Sequence, residues 1–317
     1  MKDFEKDIYS IQVKNLNKSY GNLQAVANIS FQVKPGEIFG FLGPNGAGKT
    51  TTTRMLTGVF PPDSGEIYIA GNNLIENTLK AKMKMGVVPE LANAYMDLTA
   101  KENILFTAEM YGLSGKKIED KTEQLLEKFG MSDRKDDIIK NFSKGMKQRI
   151  VICMALINEP DILFLDEPTS GLDVQSTRLI RRVIRDLNQK GTTIFLTTHN
   201  INEANELCDR IAIMNNGEIA AIDSPENLKN TFQKSQSVEV SFEGQVQVSF
   251  KKISGVISIE KRGDKIRLYT KNPGQVIEEL VATLKKNGNK IKTLNTLEPE
   301  LEEVFVLLTG GDLNNEN

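Results

Sequence analysis

One glycine-rich stretch reads Gly43-Pro44-Asn45-Gly46-Ala47-Gly48-Lys49-Thr50-Thr51, and it follows the apolar run Glu37-Ile38-Phe39-Gly40-Phe41-Leu42. The pattern G-x-x-x-x-G-K-[ST], between a predicted buried strand and a predicted helix, is typical of a phosphate-binding loop. Glycines let successive backbone N–H groups converge on one point, where the helix N-terminus adds a partial positive charge. Lys49 can reach the β and γ phosphates of a nucleotide, and the Thr50 hydroxyl can bind Mg²⁺.

Composition limits the class of protein. The 317 residues include 40 Lys and Arg against 42 Asp and Glu, so no net basic charge points to nucleic acid as the main partner. Two cysteines, Cys153 and Cys208, are too few for a disulfide framework, and we expect both to be buried in helices. No apolar run is long enough to span a membrane, and residues 1–7 lack the apolar core of a signal peptide. We expect a soluble, cytoplasmic chain.

The N-terminal segments predict an antiparallel sheet. Ile11–Leu16 and Ile29–Val33 alternate between apolar and polar residues, and a turn is expected at Gly21-Asn22. Tyr20 has two interpretations: its ring packs on the sheet, or it provides a flat face on which a nucleobase stacks.

Adjacent carboxylates end a second predicted buried strand within Pro160–Pro168. The carboxyl edge of a parallel sheet is where ligands bind. There Asp166 can reach a Mg²⁺ ion, while Glu167, which points the other way, can orient and deprotonate a water molecule. Two buried acids without a cation would be costly, which argues against a purely structural pair.

A third strand, Thr192–His199, ends on the only histidine of the chain. A lone histidine is usually structural, but at this strand end an imidazole can donate a hydrogen bond to a γ-phosphate. The turn Ser170-Gly171-Leu172-Asp173 precedes and caps a predicted helix, Val174–Lys190.

Ser143 is predicted to cap another helix, in the run Ser143-Lys144-Gly145-Met146. This N-terminus could face an anion, although the signal alone is weak. Helical periodicity also marks Ala100–Tyr111 and Lys116–Phe129, an insertion into the α/β pattern.

After residue 230 the pattern changes to that of a small α+β domain. We expect strands at Ser237–Phe242, Val246–Phe250, Val256–Ile259, Ile266–Tyr269 and Lys290–Leu294, and helices at Pro273–Asn287 and Leu297–Leu308. Gly311–Asn317 is expected to be frayed.

With these motifs in this order, the first roughly 230 residues resemble the ATP-binding subunit of ATP-binding cassette (ABC) transporters. The resemblance implies a P-loop NTPase of the ABC ATPase type, with a RecA-like core, an antiparallel β subdomain and a helical subdomain at about 91–157. We expect this nucleotide-binding domain to cover residues 1–232 and the C-terminal accessory α+β domain to cover 233–310.

The resemblance also implies a role for each motif. Tyr20 would stack on adenine, Gly43 to Thr51 would form Walker A, and Asp166 with the catalytic base Glu167 would form Walker B. Ser170 to Asp173 would be the D-loop and His199 the switch histidine. Ser143 to Met146 would be the signature that binds ATP held by a partner subunit, so catalysis needs a head-to-tail dimer.

Two positions depart from the family pattern. Glu90 replaces the usual glutamine; it keeps an oxygen for Mg²⁺ or water but adds a negative charge. Lys144 replaces the usual first glycine of the signature, and its ammonium could approach the partner's γ-phosphate or point to solvent. Phe142, Met146 and Glu90 together are similar to the ABC-2 branch of drug, sodium, lipid and polysaccharide exporters.

That branch implies ATP and Mg²⁺ as ligands and a separate permease as partner, with a second nucleotide-binding domain, expected in a homodimer, on the cytoplasmic face of the membrane. The apolar side chains after Glu90, with Leu91, Tyr95 and Met96 as contacts, would form the permease surface; a locally packed loop is the alternative. Rival hypotheses are a soluble mechanical ATPase acting on ribosomes or DNA, and a nucleotide-binding regulator. The sequence has neither the two nucleotide domains nor the long coiled coil that such mechanical ATPases carry. The presence of Glu167 and His199 argues against a regulator that binds ATP without hydrolysing it.

Overall fold

The chain divides after Ser224. The computed structural model describes residues 9–91, 94–231, 236–243, 248–297 and 300–309, in two compact units, 1–224 and 225–317. The boundary that we predicted from the sequence follows residue 232, eight residues later. The structure assigns helix α8 (Pro225–Thr231) to the second unit, in which it packs against helix α10 (Leu301–Thr309).

A six-stranded sheet forms the centre of the first unit. Five strands run parallel and the sixth, at one edge, is antiparallel. In spatial order they are β10 (Glu218–Asp223), β9 (Arg210–Asn215), β3 (Ile38–Leu42), β8 (Thr193–Thr198), β7 (Ile162–Asp166) and β6 (Met85–Val88). Every residue of β3, β7 and β8 is buried, as expected for central parallel strands covered on both faces. The loops after these three strands therefore leave from one edge.

The predicted antiparallel sheet is also present. Its spatial order is β2 (Leu23–Val33), β1 (Ile11–Tyr20), β4 (Ser64–Ile69) and β5 (Asn72–Asn73). Ile11, Val13 and Leu16 alternate onto the buried face and join a core of stacked phenylalanines around Phe39. Both long strands continue beyond the predicted segments, and β1 ends on Tyr20.

Helices surround the central sheet and fill the predicted insertion. They are α1 (Lys49–Leu56), α2 (Thr78–Lys82), α3 (Ala100–Met110), α4 (Lys116–Lys128), α5 (Lys144–Leu156), α6 (Val174–Gln189) and α7 (Ile201–Leu207). Helices α3, α4 and α5 pack on one another, so the helical insertion is confirmed. Cys153 lies in α5 as predicted, but Cys208 follows α7 in extended backbone, which corrects its helical assignment. Both cysteines are buried and free.

The second unit contains a four-stranded antiparallel sheet. Its order is β12 (Val256–Arg262), β13 (Lys265–Thr270), β11 (Gln236–Phe242) and β14 (Ile291–Leu297). Helix α9 (Pro273–Lys286) buries Val276, Leu280 and Leu284 against one face of the sheet.

Two predictions for this unit were wrong. The strand expected at Val246–Phe250 is not formed where the structure describes it, because Phe250 begins a 3₁₀ turn and packs against Phe242. Val246, Gln247 and the tail Gly311–Asn317 lie outside the described residues. The last helix begins at Leu301 rather than Leu297, because Leu297 still pairs with Ser237 in the sheet.

Candidate active site

The glycine-rich loop connects β3 to α1, as the sequence predicts. Gly48 caps α1 with φ of +106°, and a Cβ there would lie 2.3 Å from the Ala25 carbonyl oxygen, so only glycine fits. Ala47 is fixed by its N–H, which donates to the Pro44 carbonyl at 3.2 Å. Helix α1 has no acidic residue in its first turn, so the partial charge of its N-terminus is left for an anion.

A cavity of about 570 Å³ opens at this helix end. It is lined by eleven of the predicted site residues and by four residues that the sequence did not point to. The former are Tyr20, Asn45, Gly46, Gly48, Lys49, Thr50, Thr51, Glu90, Glu167, Ser170 and His199; the latter are Leu23, Gln24, Ala25 and Asn216.

The Lys49 ammonium is held against the loop itself. It donates to the carbonyl oxygens of Gly43, at 2.7 Å, and Pro44, at 3.1 Å. An ammonium has three donors, so one N–H remains for the cavity. Burial lowers the pKa of Lys49, while the carboxylates of Glu167, Asp166 and Glu90 act in the opposite direction.

Asp166 and Glu167 end β7 in different environments. Asp166 is 6% exposed, and its Oδ1 accepts a hydrogen bond from the Thr197 hydroxyl. Burial raises the pKa of Asp166, and the Thr197 hydrogen bond partly offsets this effect. Glu167 adopts φ of +50°, in the left-handed region that glutamate rarely occupies. Sequence analysis missed Thr197, because only the pairing of β7 with β8 places it beside the acids.

His199 contacts the Glu167 carboxylate directly. Its Nδ1 lies 2.9 Å from Glu167 Oε2, and its side chain is half exposed, whereas that of Glu167 is mostly buried. Burial raises the pKa of Glu167, and the His199 hydrogen bond lowers it. An acid with a raised pKa beside an imidazole, both lining one cavity, is suited to move a proton.

Tyr20 also lines the cavity. Its ring packs edge-to-face on Phe60, with centroids 6.2 Å apart, and Lys18 Nζ stands 5.9 Å from its centroid. The residue is still 48% exposed, so both interpretations of Tyr20 remain compatible with its position.

The signature segment lies apart from this cavity among the described residues. Ser143 caps α5 by accepting a hydrogen bond from the Met146 N–H, and Gly145 is buried so close to Ser176 that a Cβ would meet its Oγ at 2.5 Å. Asp173 caps α6 through the Ser176 N–H, at 2.8 Å. Lys144 is exposed and its ammonium lies against Gly171. The signature and the turn Ser170–Asp173 are therefore packed together.

Apolar side chains are exposed after Glu90. Leu91 is exposed, as are Tyr95 and Met96, while Ala92 and Asn93 lie outside the described residues. The Tyr95 backbone is anchored because its N–H donates to Asn103 Oδ1 and its carbonyl accepts from Asn103 Nδ2. Its ring packs edge-to-face on Phe106, at 4.9 Å.

Helix α3 extends this exposed area. Phe106 and Met110 lie one turn apart and are both exposed. These two residues were not predicted from the sequence, because helical periodicity does not show which apolar side chains of a helix remain exposed to solvent. We call Leu91, Tyr95, Met96, Phe106 and Met110 the apolar surface.

Two family profiles match the chain. The profile described as "ABC transporter" matches residues 26–170, and "ATP-binding protein DrrA1-3-like, C-terminal domain" matches residues 224–309. Among the described residues, no helix is both long and apolar enough to cross a membrane.

Two relatives align with nearly the whole length of the chain. The chain is 37% identical over 308 residues to the linearmycin resistance ATP-binding protein LnrL of Bacillus subtilis (strain 168), which covers 96% of this chain and 99% of the relative. It is 37% identical over 305 residues to the Nod factor export ATP-binding protein I of Rhizobium sp. (strain N33), covering 96% and 98%.

A solved structure shares the fold of the first unit. It is the dimeric, post-hydrolysis state of an ATP-binding cassette bound to ADP and Pi, with a TM-score of 0.63 and 28% identity. The match covers 68% of this chain and 98% of that chain.

Proposed function

This chain belongs to the ABC transporter family as an ATP-binding subunit, and from that premise we propose that it hydrolyses ATP at the Lys49–His199 cavity to power export through a separate ABC-2 type permease. The observation that carries this proposal is the contact between Glu167 and His199, which line the same cavity as the phosphate loop. The names of the two relatives favour a transporter over a ribosome- or DNA-directed ATPase.

The chain's own residues divide the chemistry of γ-phosphate hydrolysis. The backbone N–H groups of Gly46 and of Gly48 to Thr51, with the third Lys49 donor, bind the phosphates, and the Tyr20 ring supports the adenine. Glu167 holds a water molecule for in-line attack and accepts its proton. In the imidazolium form both ring nitrogens are donors, so His199 Nε2 donates to the γ-phosphate while Nδ1 donates to Glu167.

Oxygen atoms suited to Mg²⁺ are present at the same place. Thr50 and Glu90 line the cavity. Asp166 is the last residue of β7, and its Oδ1 already accepts a hydrogen bond from the Thr197 hydroxyl. Mg²⁺ prefers oxygen ligands and is usually bound by one or two carboxylates together with substrate phosphates. We assign Thr50 and Asp166 as ligands, with Glu90 as a third; the ion would neutralise charge on the phosphates.

The proposed active assembly is a head-to-tail homodimer. The signature lies away from the cavity of its own chain, so Ser143 and the N-terminus of α5 are available for the ATP of a second copy. The first turn of α5 contains Lys144, is followed by Lys147, and has no acidic residue. A phosphate bound there would compensate this positive charge. Because Ser143–Met146 and Ser170–Asp173 pack together, ATP binding at one would move the other.

The permease would dock on the apolar surface, which follows Glu90 directly. A change at Glu90 on ATP binding would reach Leu91 and Tyr95 through a few residues of chain. The Asn103 and Phe106 contacts fix Tyr95 on α3, so the surface would move as one body with the helix. Docking would place the chain at the cytoplasmic face of the membrane.

Affinity capture from detergent-solubilised native membranes tests this function. The wild-type chain should co-purify with a protein of several membrane spans, identified by mass spectrometry. Met110→Glu should lose that protein and keep ATP binding, because it places a charge on the apolar surface. Ile257→Glu, the same change at an exposed apolar side chain of the second unit, should retain it. Capture of ribosomal or DNA-bound proteins, without a membrane protein, would contradict the transport role.

A further inference from the structure

Thr197 links the two acidic residues of the proposed site. It lies on β8 directly opposite Asp166 on β7, and it is completely buried. Its hydroxyl donates to Asp166 Oδ1 and also accepts from the Glu167 N–H, at 3.2 Å. The Glu167 N–H is shared with the Thr197 carbonyl oxygen, at 3.1 Å. One side chain therefore contacts the carboxylate of one acid and the backbone of the next.

The backbone of Glu167 needs such support. Its φ of +50° places a long side chain in the left-handed region, which is strained for residues other than glycine. Strained conformations persist where the surroundings over-determine them. Two acceptors on Thr197 hold the N–H, and His199 holds the carboxylate, so Glu167 is fixed at both ends.

We propose that Thr197 is a positioning residue: its hydroxyl turns Asp166 so that Oδ2 is the oxygen left for a metal ion, and holds the backbone bend that directs Glu167 toward His199. The inference rests on the proposed function, since it gives these acids their roles. Partners that orient metal-binding side chains commonly change metal affinity or activity by about 10- to 100-fold when removed.

Thr193 provides a matched comparison on the same strand. It is equally buried, and its hydroxyl also makes two hydrogen bonds, with Ser10 Oγ at 2.8 Å and from the Gly36 N–H at 3.0 Å. It contacts neither acid. Thr193→Val and Thr197→Val therefore remove the same group from the same strand, and only the second change should alter the site.

The experiment measures binding separately from turnover. Equilibrium binding of a non-hydrolysable ATP analogue is followed with Mg²⁺ and with EDTA, beside kcat, KM for ATP and thermal unfolding. In Thr197→Val, the gain in analogue affinity that Mg²⁺ provides over EDTA should be about tenfold smaller than in the wild type. The kcat should fall by about tenfold or more. Binding in EDTA should change by less than about threefold, because the phosphate loop is intact. Thr197→Ser should restore both values, and Thr193→Val should affect only thermal unfolding.

Equal Mg²⁺ gains and equal kcat values in Thr197→Val and Thr193→Val would overturn the proposal, as would failure of Thr197→Ser to restore them. If Thr197→Val does not fold, Thr197→Ala takes its place in the same comparison. Absence of ATP hydrolysis by the wild type would contradict the proposed function instead, and the binding measurements would still decide the role of Thr197.

Discussion

His199 Nδ1 lies 2.9 Å from Glu167 Oε2, where the adjacent strands β8 and β7 end. With Glu167 ionised, this contact places a proton on Nδ1 and leaves Nε2 facing away from the carboxylate, and in the imidazolium form Nε2 also carries a proton that it can donate. The ring and the carboxylate both line the cavity, so a phosphate bound at the loop can accept a hydrogen bond from Nε2 while Nδ1 stays on Glu167.

Replacing His199 should slow turnover without preventing nucleotide binding. We expect His199→Ala to lower kcat for ATP by about 100-fold, because both the contact to Glu167 and the donor to the γ-phosphate are lost. His199→Asn keeps a donor near the Nδ1 position but has no equivalent of Nε2. Steady-state hydrolysis and equilibrium ATP binding measure the two effects. Full activity in His199→Asn would contradict a role for Nε2 at the phosphate.

Two glycines of the phosphate loop should differ in their tolerance of alanine. At Gly48 a Cβ would clash with the Ala25 carbonyl and with Met214 Cε, at 2.7 Å, whereas at Gly46 it would meet nothing within 4 Å. We expect Gly48→Ala to cost about 3 kcal/mol and lower the unfolding midpoint by about 10 °C. Gly46→Ala should cost about 1 kcal/mol, from its positive φ alone. Unfolding midpoints are measured by calorimetry. Equal midpoints for the two variants would contradict the prediction, because they would mean that the loop accommodates a Cβ at Gly48 as easily as at Gly46.

Glu123 should make the stability of the helical segment depend on pH. Hydrogen bonds from Lys101, at 2.8 Å, and Lys135, at 3.0 Å, lower the pKa of Glu123 from its usual value of 4.5. A lowered folded-state pKa means that this stabilisation is complete above about 4.5 and is lost as the pH falls through the folded-state value. The pairs are partly exposed, so Glu123→Gln should cost only about 0.5 kcal/mol at neutral pH.

Thermal unfolding at two pH values tests the role of Glu123. The variant should unfold about 1–2 °C below the wild type at about pH 7, and by a smaller margin at about pH 3. A difference of the same size at both pH values would mean that the charge of Glu123 is not the cause.

The parts of the site that sequence could predict are those whose chemistry is local. The glycine and lysine spacing defines the phosphate loop, and Asp166, Glu167 and His199 each follow a recognisable apolar strand. Thr197 could not be predicted, because β8 contains three threonines, Thr193, Thr197 and Thr198, and only the register with β7 selects one of them. That register depends on packing between distant segments.

Errors in the second unit have a similar origin. The alternating pattern of Val246–Phe250 resembles a strand, but Phe250 instead turns into the core beside Phe242. At Leu297, helical periodicity continues across the end of β14, and pairing with β11 outweighs it.

The most direct test of the account is the mass of Glu167→Gln in solution, with and without ATP, by light scattering. Glutamine keeps the shape of Glu167 but cannot accept the proton from water, so ATP should persist between Walker A of one copy and the signature of the other. Addition of ATP should change the mass of this variant from 35.3 kDa to twice that value. A chain that binds ATP, does not hydrolyse it and stays at 35.3 kDa would contradict the head-to-tail mechanism.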